Sequence, residues 1–335
     1  MPTLDIFNSD AFGVSTLTAA INQMPEGEAV PTVVDALFVQ GERGISTTTA
    51  WVERKGDSLQ LVPAAERGAP GDPVNRTSRD GQTFTAIHLP TVGGINADQV
   101  QNVRAFGSET ETEVVERLVQ DELDRMRRNL AATVTYHRMG AVKGLVLDAT
   151  GSTLLDIYSA FGVSQQSQSM ELDQAGTDVR ALIIKAKRLS EKVIAGSAMI
   201  NGFVALCGEG FFDLLTNHGD TKEAFNRWMD GEMLRNDPRS GFAFGGVVWR
   251  ELYGKVGNTE FVDTNEAYLI PLGVPDLFIT RWAPADYMET VNTLGIPYYA
   301  KQELRRMGKG VDLEAQSNPI NLCTRPRAVI KLTHT

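Results

Sequence analysis

Residues 108–139, SETETEVVERLVQDELDRMRRNLAATVTYHRM, decide how the chain is read. Ser108 and Glu111 have the spacing of a capping box, in which the hydroxyl and the carboxylate each satisfy a free backbone N–H at a helix start. Val115, Val119, Leu123, Met126, Leu130 and Val134 then recur at three- and four-residue steps, while Glu113/Arg117, Asp121/Arg125 and Asp124/Arg128 set opposite charges one turn apart. The pattern predicts one amphipathic helix with a single apolar stripe. At about 1.5 Å per residue it would run roughly 45 Å, well beyond the mean of about 11–12 residues, so it should span a flat domain rather than fill a round one. The stripe lasts too few heptads for a coiled coil.

Before this helix, residues 1–30 hold one short amphipathic segment, Ala11 to Ile21, followed by Pro25, Gly27 and Pro31; so little apolar material reads as an arm. From Val33 to Leu89 the runs VVDALFV, STTTAWVE, SLQLVP and TFTAIHLP read as strands separated by turn residues. Residues 66–82, ERGAPGDPVNRTSRDGQ, are too rich in Gly, Pro and charge to pack as core. The expectation is an extended hairpin with a solvated tip, marginal in water unless it lies on something else.

After the helix, Leu145–Asp148 and Leu154–Tyr158 flank Ala149-Thr150-Gly151-Ser152 as a compact hairpin. A second helix should open at Asp178, with Val179, Leu182, Ile183, Ala186, Leu189 and Val193 on one face. Short strands and helices alternate over 197–294 without a repeat. Pro297–Arg306 and Val311–Ser317, joined at Met307-Gly308-Lys309-Gly310, carry charge on both faces and suit a thin exposed ribbon. Ala328–Leu332 ends the chain as an apolar strand.

Composition narrows the function classes. With 335 residues, 42% hydrophobic and 22% charged, the chain can bury the core of one large or two smaller domains. The net charge of -10 argues against a phosphate-binding protein, which needs clustered Lys and Arg. The first basic residue is Arg43, so the stretch with Asp5, Asp10, Glu26, Glu28 and Asp35 is anionic; it would be repelled by DNA or an anionic membrane and needs a protein partner. There is no apolar run of about 18 residues and no signal-peptide pattern in MPTLDIFNSD, which points to synthesis and use in the cytosol. Cys207 and Cys323 read as buried apolar residues in a reducing compartment.

No catalytic, cofactor-binding or metal site stands out. His88, His137, His218 and His334 are isolated from one another and from the cysteines. Gly241-Phe242-Ala243-Phe244-Gly245-Gly246 is followed by Val247, not by Lys-Ser or Lys-Thr, and Gly208-Glu209-Gly210 lacks a third glycine; both read as turns. The lysine of Gly308-Lys309-Gly310 reads as a solvated turn residue. Glu209, Asp213, Asp220, Glu223 and Asp230 scatter around Phe211, Phe212, Leu214, Leu215 and Trp228 as the solvent face of helices would.

Several pieces, in order, resemble the major capsid protein E family of lambda-type tailed bacteriophages, which adopts the Hong Kong 97 capsid fold. They are Leu61-Val62-Pro63 with Arg67-Gly68, Val103-Arg104-Ala105-Phe106-Gly107-Ser108-Glu109, Ala283-Pro284-Ala285-Asp286-Tyr287 through Asn292-Thr293-Leu294-Gly295, Pro297-Tyr298-Tyr299-Ala300-Lys301, Gln316-Ser317-Asn318-Pro319 and Arg325-Pro326-Arg327-Ala328-Val329. The resemblance covers nearly the whole chain and implies an α+β subunit. It implies an N-terminal arm over 1–32, an E-loop hairpin and its base over 33–95, a P-domain over 96–180 with its spine helix at 108–139, an A-domain over 181–294, a P-domain β-ribbon over 295–322 and an A-domain strand over 323–335.

The implied function is a non-enzymatic major capsid protein that assembles into the pentamers and hexamers of an icosahedral head around double-stranded DNA. Implied partners are itself, a decoration protein, a scaffold and a portal, with no membrane, no cofactor and no sequence-specific nucleic acid contact; assembly would occur in the host cytoplasm. A chain starting at Met1 with the arm already recognisable gives the expectation that scaffold and protease are separate proteins. Lys55, Asn318 and Glu314 could supply an inter-subunit lysine–asparagine cross-link, but Arg54-Lys55-Gly56-Asp57 reads as an ordinary solvated turn, so no cross-link is expected. An encapsulin-like nanocompartment shell and an α+β enzyme of unknown substrate are the rival readings.

Overall fold

The computed structural model describes residues 13–24, 32–55, 79–101, 111–228, 239, 241–256 and 259–335. In chain order, Val14–Gln23 (α1) and Thr32–Phe38 (α2) precede Glu42–Gly44 (β1), Thr49–Lys55 (β2), Arg79–Thr85 (β3) and Leu89–Asn96 (β4). Ala97–Gln101 (α3) and Glu111–Lys143 (α4) lead to Leu145–Leu147 (β5), Thr153–Asp156 (β6), Ile157–Ala160 (α5) and Gln166–Ser169 (β7). Val179–Ile194 (α6), Gly202–Cys207 (β8), Glu209–Asn217 (α7) and Gly219–Trp228 (α8) follow. The remaining strands are Phe242–Phe244 (β9), Val247–Glu251 (β10), Lys255–Val256 (β11), Thr259–Glu260 (β12), Glu266–Leu272 (β13), Phe278–Trp282 (β14), Tyr299–Leu304 (β15), Gly310–Ser317 (β16), Pro319–Cys323 (β17) and Ile330–Thr333 (β18).

The long helix α4 is a single element of 33 residues, about 50 Å. Its expected stripe is buried in full: Val115, Val119, Leu123, Met126, Leu130 and Val134. The helix runs four residues past the expected end and stops at Gly144, whose left-handed φ of +85° is a glycine conformation, and where a Cβ would meet the Tyr158 ring. Ser108 lies outside the described residues. The stripe is one-sided only as far as Val134; from there to Val142 nearly every residue is buried, including Thr135, His137 and Arg138.

That change marks the passage of α4 from one core to another. Its first half packs with α1 and the three-stranded sheet β15–β16–β4, through Leu17, Ile21, Ile95, Val311, Leu313 and Ala315. Here the ribbon differs from expectation: Val311, Leu313 and Ala315 alternate inward while Asp312 and Glu314 face out, so one side is core, because α1 and α4 cover it. The second half of α4 enters a central core with α2, β14 and β17. A six-stranded mixed sheet, ordered β7–β18–β13–β8–β10–β9, forms the other side of this core. Along β8, Val204 and Leu206 face the central core, whereas Phe203, Ala205 and Cys207 face a third core under α6 and α7. A strand buried on both faces reads as the unbroken apolar run GFVALC.

VVDALFV forms helix α2, not a strand: Val34 and Phe38, four residues apart, are both fully buried, and Asp35 turns toward α4. Its β-branched residues favour a strand only weakly, and burial of one helical face outweighs that preference. Helix α6 starts as expected, with the Asp178 carboxylate accepting from the Ala181 N–H at 2.9 Å. Strands β2 and β3 pair antiparallel from Thr49/Thr85 to Lys55/Arg79; the insert tip and SLQLVP fall outside the described residues. The compact hairpin is confirmed by β5 and β6, although Ile157 and Tyr158 belong to α5.

Leu130, buried in the first core, tests the stripe. Leu130→Ala should cost about 2–5 kcal/mol, read as a lower urea midpoint, and Leu130→Asp should cost more, because an unpaired carboxylate would enter the same packing.

Candidate assembly surfaces

Two arginines on one side of α4, three turns apart, fasten the N-terminal part of the chain to the rest. Arg138 is the better enclosed. Its Nη1 donates to Asp35 Oδ1 of α2 at 2.7 Å and its Nη2 to Glu42 Oε1 of β1 at 2.5 Å. Thr135 Oγ1 adds a bond to Asp35 Oδ2 at 2.9 Å. The guanidinium lies 5.5 Å from the Phe38 ring centroid and 5.8 Å from that of Trp282, whose indole N–H points to Glu42 at 3.4 Å. Arg127 donates to the Met24 carbonyl at the end of α1 and covers the Tyr298 ring at 5.5 Å. Helix α1 is further held by Thr18, which exchanges bonds of 3.1 and 3.3 Å with the Ala300 backbone, and by Asn22, which donates to Tyr298 O at 2.8 Å. The part of the expected arm that is described is therefore seated on the chain's own sheet.

The residues weighed for chemistry do not converge. His88 Nδ1 meets Asn318 Oδ1 at 2.8 Å, and His218 Nε2 meets Gln174 O at 3.1 Å. His137 is buried with neither ring nitrogen hydrogen-bonded, and burial pushes its pKa down to about 4, partly opposed by Asp148. Cys207 and Cys323 are buried free thiols, and burial holds both pKa values up, that of Cys323 at about 12. Gly245 and Gly246 adopt positive φ in the turn between β9 and β10. Glu209, Asp213, Asp220 and Glu223 lie exposed on α7 and α8, beside buried Phe211, Phe212 and Leu215. Asp230 lies outside the described residues.

The surface carries the more telling features. Lys309 sits in the turn between β15 and β16, next to Met307, which is 93% exposed and held at φ +67°. Trp51 on the β2–β3 hairpin is exposed, as are Met288, Val291 and Leu294 in the segment between β14 and β15. Sequence reasoning had no signal for these side chains, nor for the burial of Arg127 and Arg138, because apolar and charged residues were assigned to inside and outside by helical or strand period alone.

The profile described as Phage major capsid protein E matches residues 13–334. The chain belongs to this family. Among curated relatives, the major capsid protein of Pseudomonas phage KPP10 is 28% identical over 328 residues, covering 90% of this chain and 93% of its own. The major capsid protein of Salmonella phage Felix O1 is 25% identical over 322 residues, covering 85% and 87%. A crystal structure ascribed to the capsid protein of an Escherichia coli CFT073 prophage superposes with a TM-score of 0.59 at 10% identity, over 97% of this chain and 99% of that one, which shows the shared capsid fold. The α+β architecture is thus the Hong Kong 97 capsid fold, and the chain is a structural phage major capsid protein that assembles into the icosahedral shell of the virion.

Two measurements test the buried charges. Arg138→Met should cost about 3–5 kcal/mol by leaving Asp35 and Glu42 facing a core without their cation, and Asp35→Asn with Glu42→Gln in the same chain should recover part of the loss. For His137, the folded pKa of about 4 lies below the ordinary 6.5, so unfolding takes up a proton between these values. Its contribution should be complete above pH 6.5 and fall away toward pH 4, by on the order of 3 kcal/mol. Urea midpoints at pH 7 and pH 5 should converge in His137→Leu relative to the parent.

Proposed function

We propose that the shell is built from pentamers and hexamers in which the β2–β3 hairpin reaches over a neighbouring subunit. The observation that carries this reading is the contrast between three apolar cores and large exposed apolar side chains outside them, Trp51 on the hairpin and Met307 on the ribbon turn. A two-stranded hairpin is marginal in water alone and gains stability when another surface covers it. In this reading α4 and β15–β16–β4 form the peripheral domain, and the six-stranded sheet with α6, α7 and α8 forms the axial one. Strand β7 belongs with the axial sheet, since it pairs with β18. The turn at Met307 and Lys309 then meets its equivalents at three-fold points, where a decoration protein would bind.

The chain acts without a catalytic site, assembles in the host cytoplasm with a scaffold and a portal, and encloses double-stranded DNA without gripping it. Its net charge of -10 supports the last point, because a shell that bound phosphates would hinder packaging. Covalent cross-linking of subunits is not expected. Asn318 is buried and already engaged with His88 at 2.8 Å and Gln316 at 3.2 Å, and Glu314 lies within 3.3 Å of the Tyr287 hydroxyl.

Sedimentation and negative-stain microscopy of the purified chain should show closed particles or rings, and a strictly monomeric species at high concentration would overturn the reading. Particles boiled in SDS should release a single band near 36.6 kDa; a ladder lost in Lys55→Ala would show a cross-link.

A further inference from the structure

The net charge of -10 is unevenly placed on the molecule. Helix α6 alone carries Arg180, Lys185, Lys187, Arg188 and Lys192 against a single acid, Glu191. Its other face, with Val179, Ile183, Ala186, Ser190 and Ile194, is buried, and Ser190 Oγ donates to Ala328 O at 2.7 Å, which fixes the roll of the helix. Lys185, Arg188 and Lys192, at i, i+3 and i+7, therefore form one solvent-facing row about 10 Å long. Lys187 stands aside from it, half-buried with its ammonium 5.3 Å from the Phe203 ring centroid.

Six cations elsewhere are neutralised in place: Arg125, Arg128, Arg138, Lys301, Arg305 and Lys331 each have a carboxylate oxygen within 2.8 Å. Among the described residues, no acid pairs with Lys185, Arg188 or Lys192, Glu191 included. The centre of a protein–protein contact is depleted of charge, lysine above all, and enriched in aromatic side chains. On the solvent side of α6 the one large apolar side chain is Ile184, 38% exposed. A row of fixed cations of this kind suits a partner held by charge alone, and a DNA duplex offers one negative charge for about every 1.7 Å of its axis.

We propose that the Lys185–Arg188–Lys192 row is a contact for the phosphate backbone of the enclosed duplex, which turns the α6 side of the six-stranded sheet toward the inside of the shell. The inference rests on the chain enclosing double-stranded DNA, and it names the surface that meets it. Three cations give a contact whose affinity falls about forty-fold between 50 and 200 mM salt, against about 10³–10⁵-fold for proteins that make six to ten phosphate contacts. DNA can lie against such a wall without being arrested on it.

The test reads the anisotropy of a labelled duplex of random sequence against the unassembled full chain, from about 20 to about 200 mM salt. Lys185→Gln with Arg188→Gln and Lys192→Gln should weaken binding at low salt at least tenfold and flatten the slope of log affinity against log salt by about 2.7. A matched variant, Lys222→Gln with Arg306→Gln and Lys309→Gln, should keep the parental slope; all six residues are exposed, so neither set disturbs packing. A parent chain that binds no duplex, an equal loss in both variants, or competition by oligoglutamate as strong as by unlabelled duplex of equal charge would overturn the contact. Sidedness is read with an amine reagent carried on a protein too large to enter a closed particle. Lys185 and Lys192 should react in free subunits and be protected in particles, and equal labelling in both would overturn the inward placement. Failure of the shell reading shows separately, as a parent chain that forms no closed particles, while the salt series still decides the phosphate contact.

Discussion

Arg138 brings a permanent charge into the interior of the molecule, and the arrangement of three parts of the chain follows from it. An enclosed guanidinium is tolerated only with nearly ideal partners, since desolvation of an ion costs several kcal/mol before any attraction is counted. The partners are a carboxylate from α2, a carboxylate from β1 and the ring faces of Phe38 and Trp282, so helix, N-terminal segment and central sheet share one mutual position. Apolar packing alone would allow those elements to slide by a fraction of a turn. The planar fork of an arginine does not, because its donors have fixed directions.

Around that fixed point the three cores divide the work. The first half of α4 stabilises the β15–β16–β4 sheet and α1, the second half holds the centre, and the six-stranded sheet separates the centre from the α6–α7 layer. A shell subunit needs this rigidity, since neighbours can only be placed regularly on surfaces that keep their shape. The large exposed apolar side chains, Trp51, Met288 and Met307 among them, lie outside that interior.

Much of this was legible in the chain itself. The stripe from Val115 to Val134 and the Asp178 cap are local patterns, and both appear where periodicity put them. The seven residues VVDALFV are too few to separate a helical from an extended period, and contacts with Arg138 and the central core, both distant in sequence, favour the helix. The charges along the ribbon suggest exposure on both faces; which face is covered depends on α1 and α4, and no local pattern carries that information. The burial of His137 and Arg138 is likewise invisible to a helix-period argument, which sees only polar residues after the stripe ends.

The order of the six-stranded sheet bears on how the subunit comes into being. Strand β18 lies inside the sheet, bonded to β13 on one side and β7 on the other, yet it is the last of the six to be synthesised. Until it arrives, β7 has no partner in the sheet and β13 presents an open edge, which is the kind of surface that pairs with the wrong chain. Closing the gap joins residues more than 150 positions apart, so it is a slow, non-local step. The sheet is therefore complete only once residues 330–333 are in place between β13 and β7.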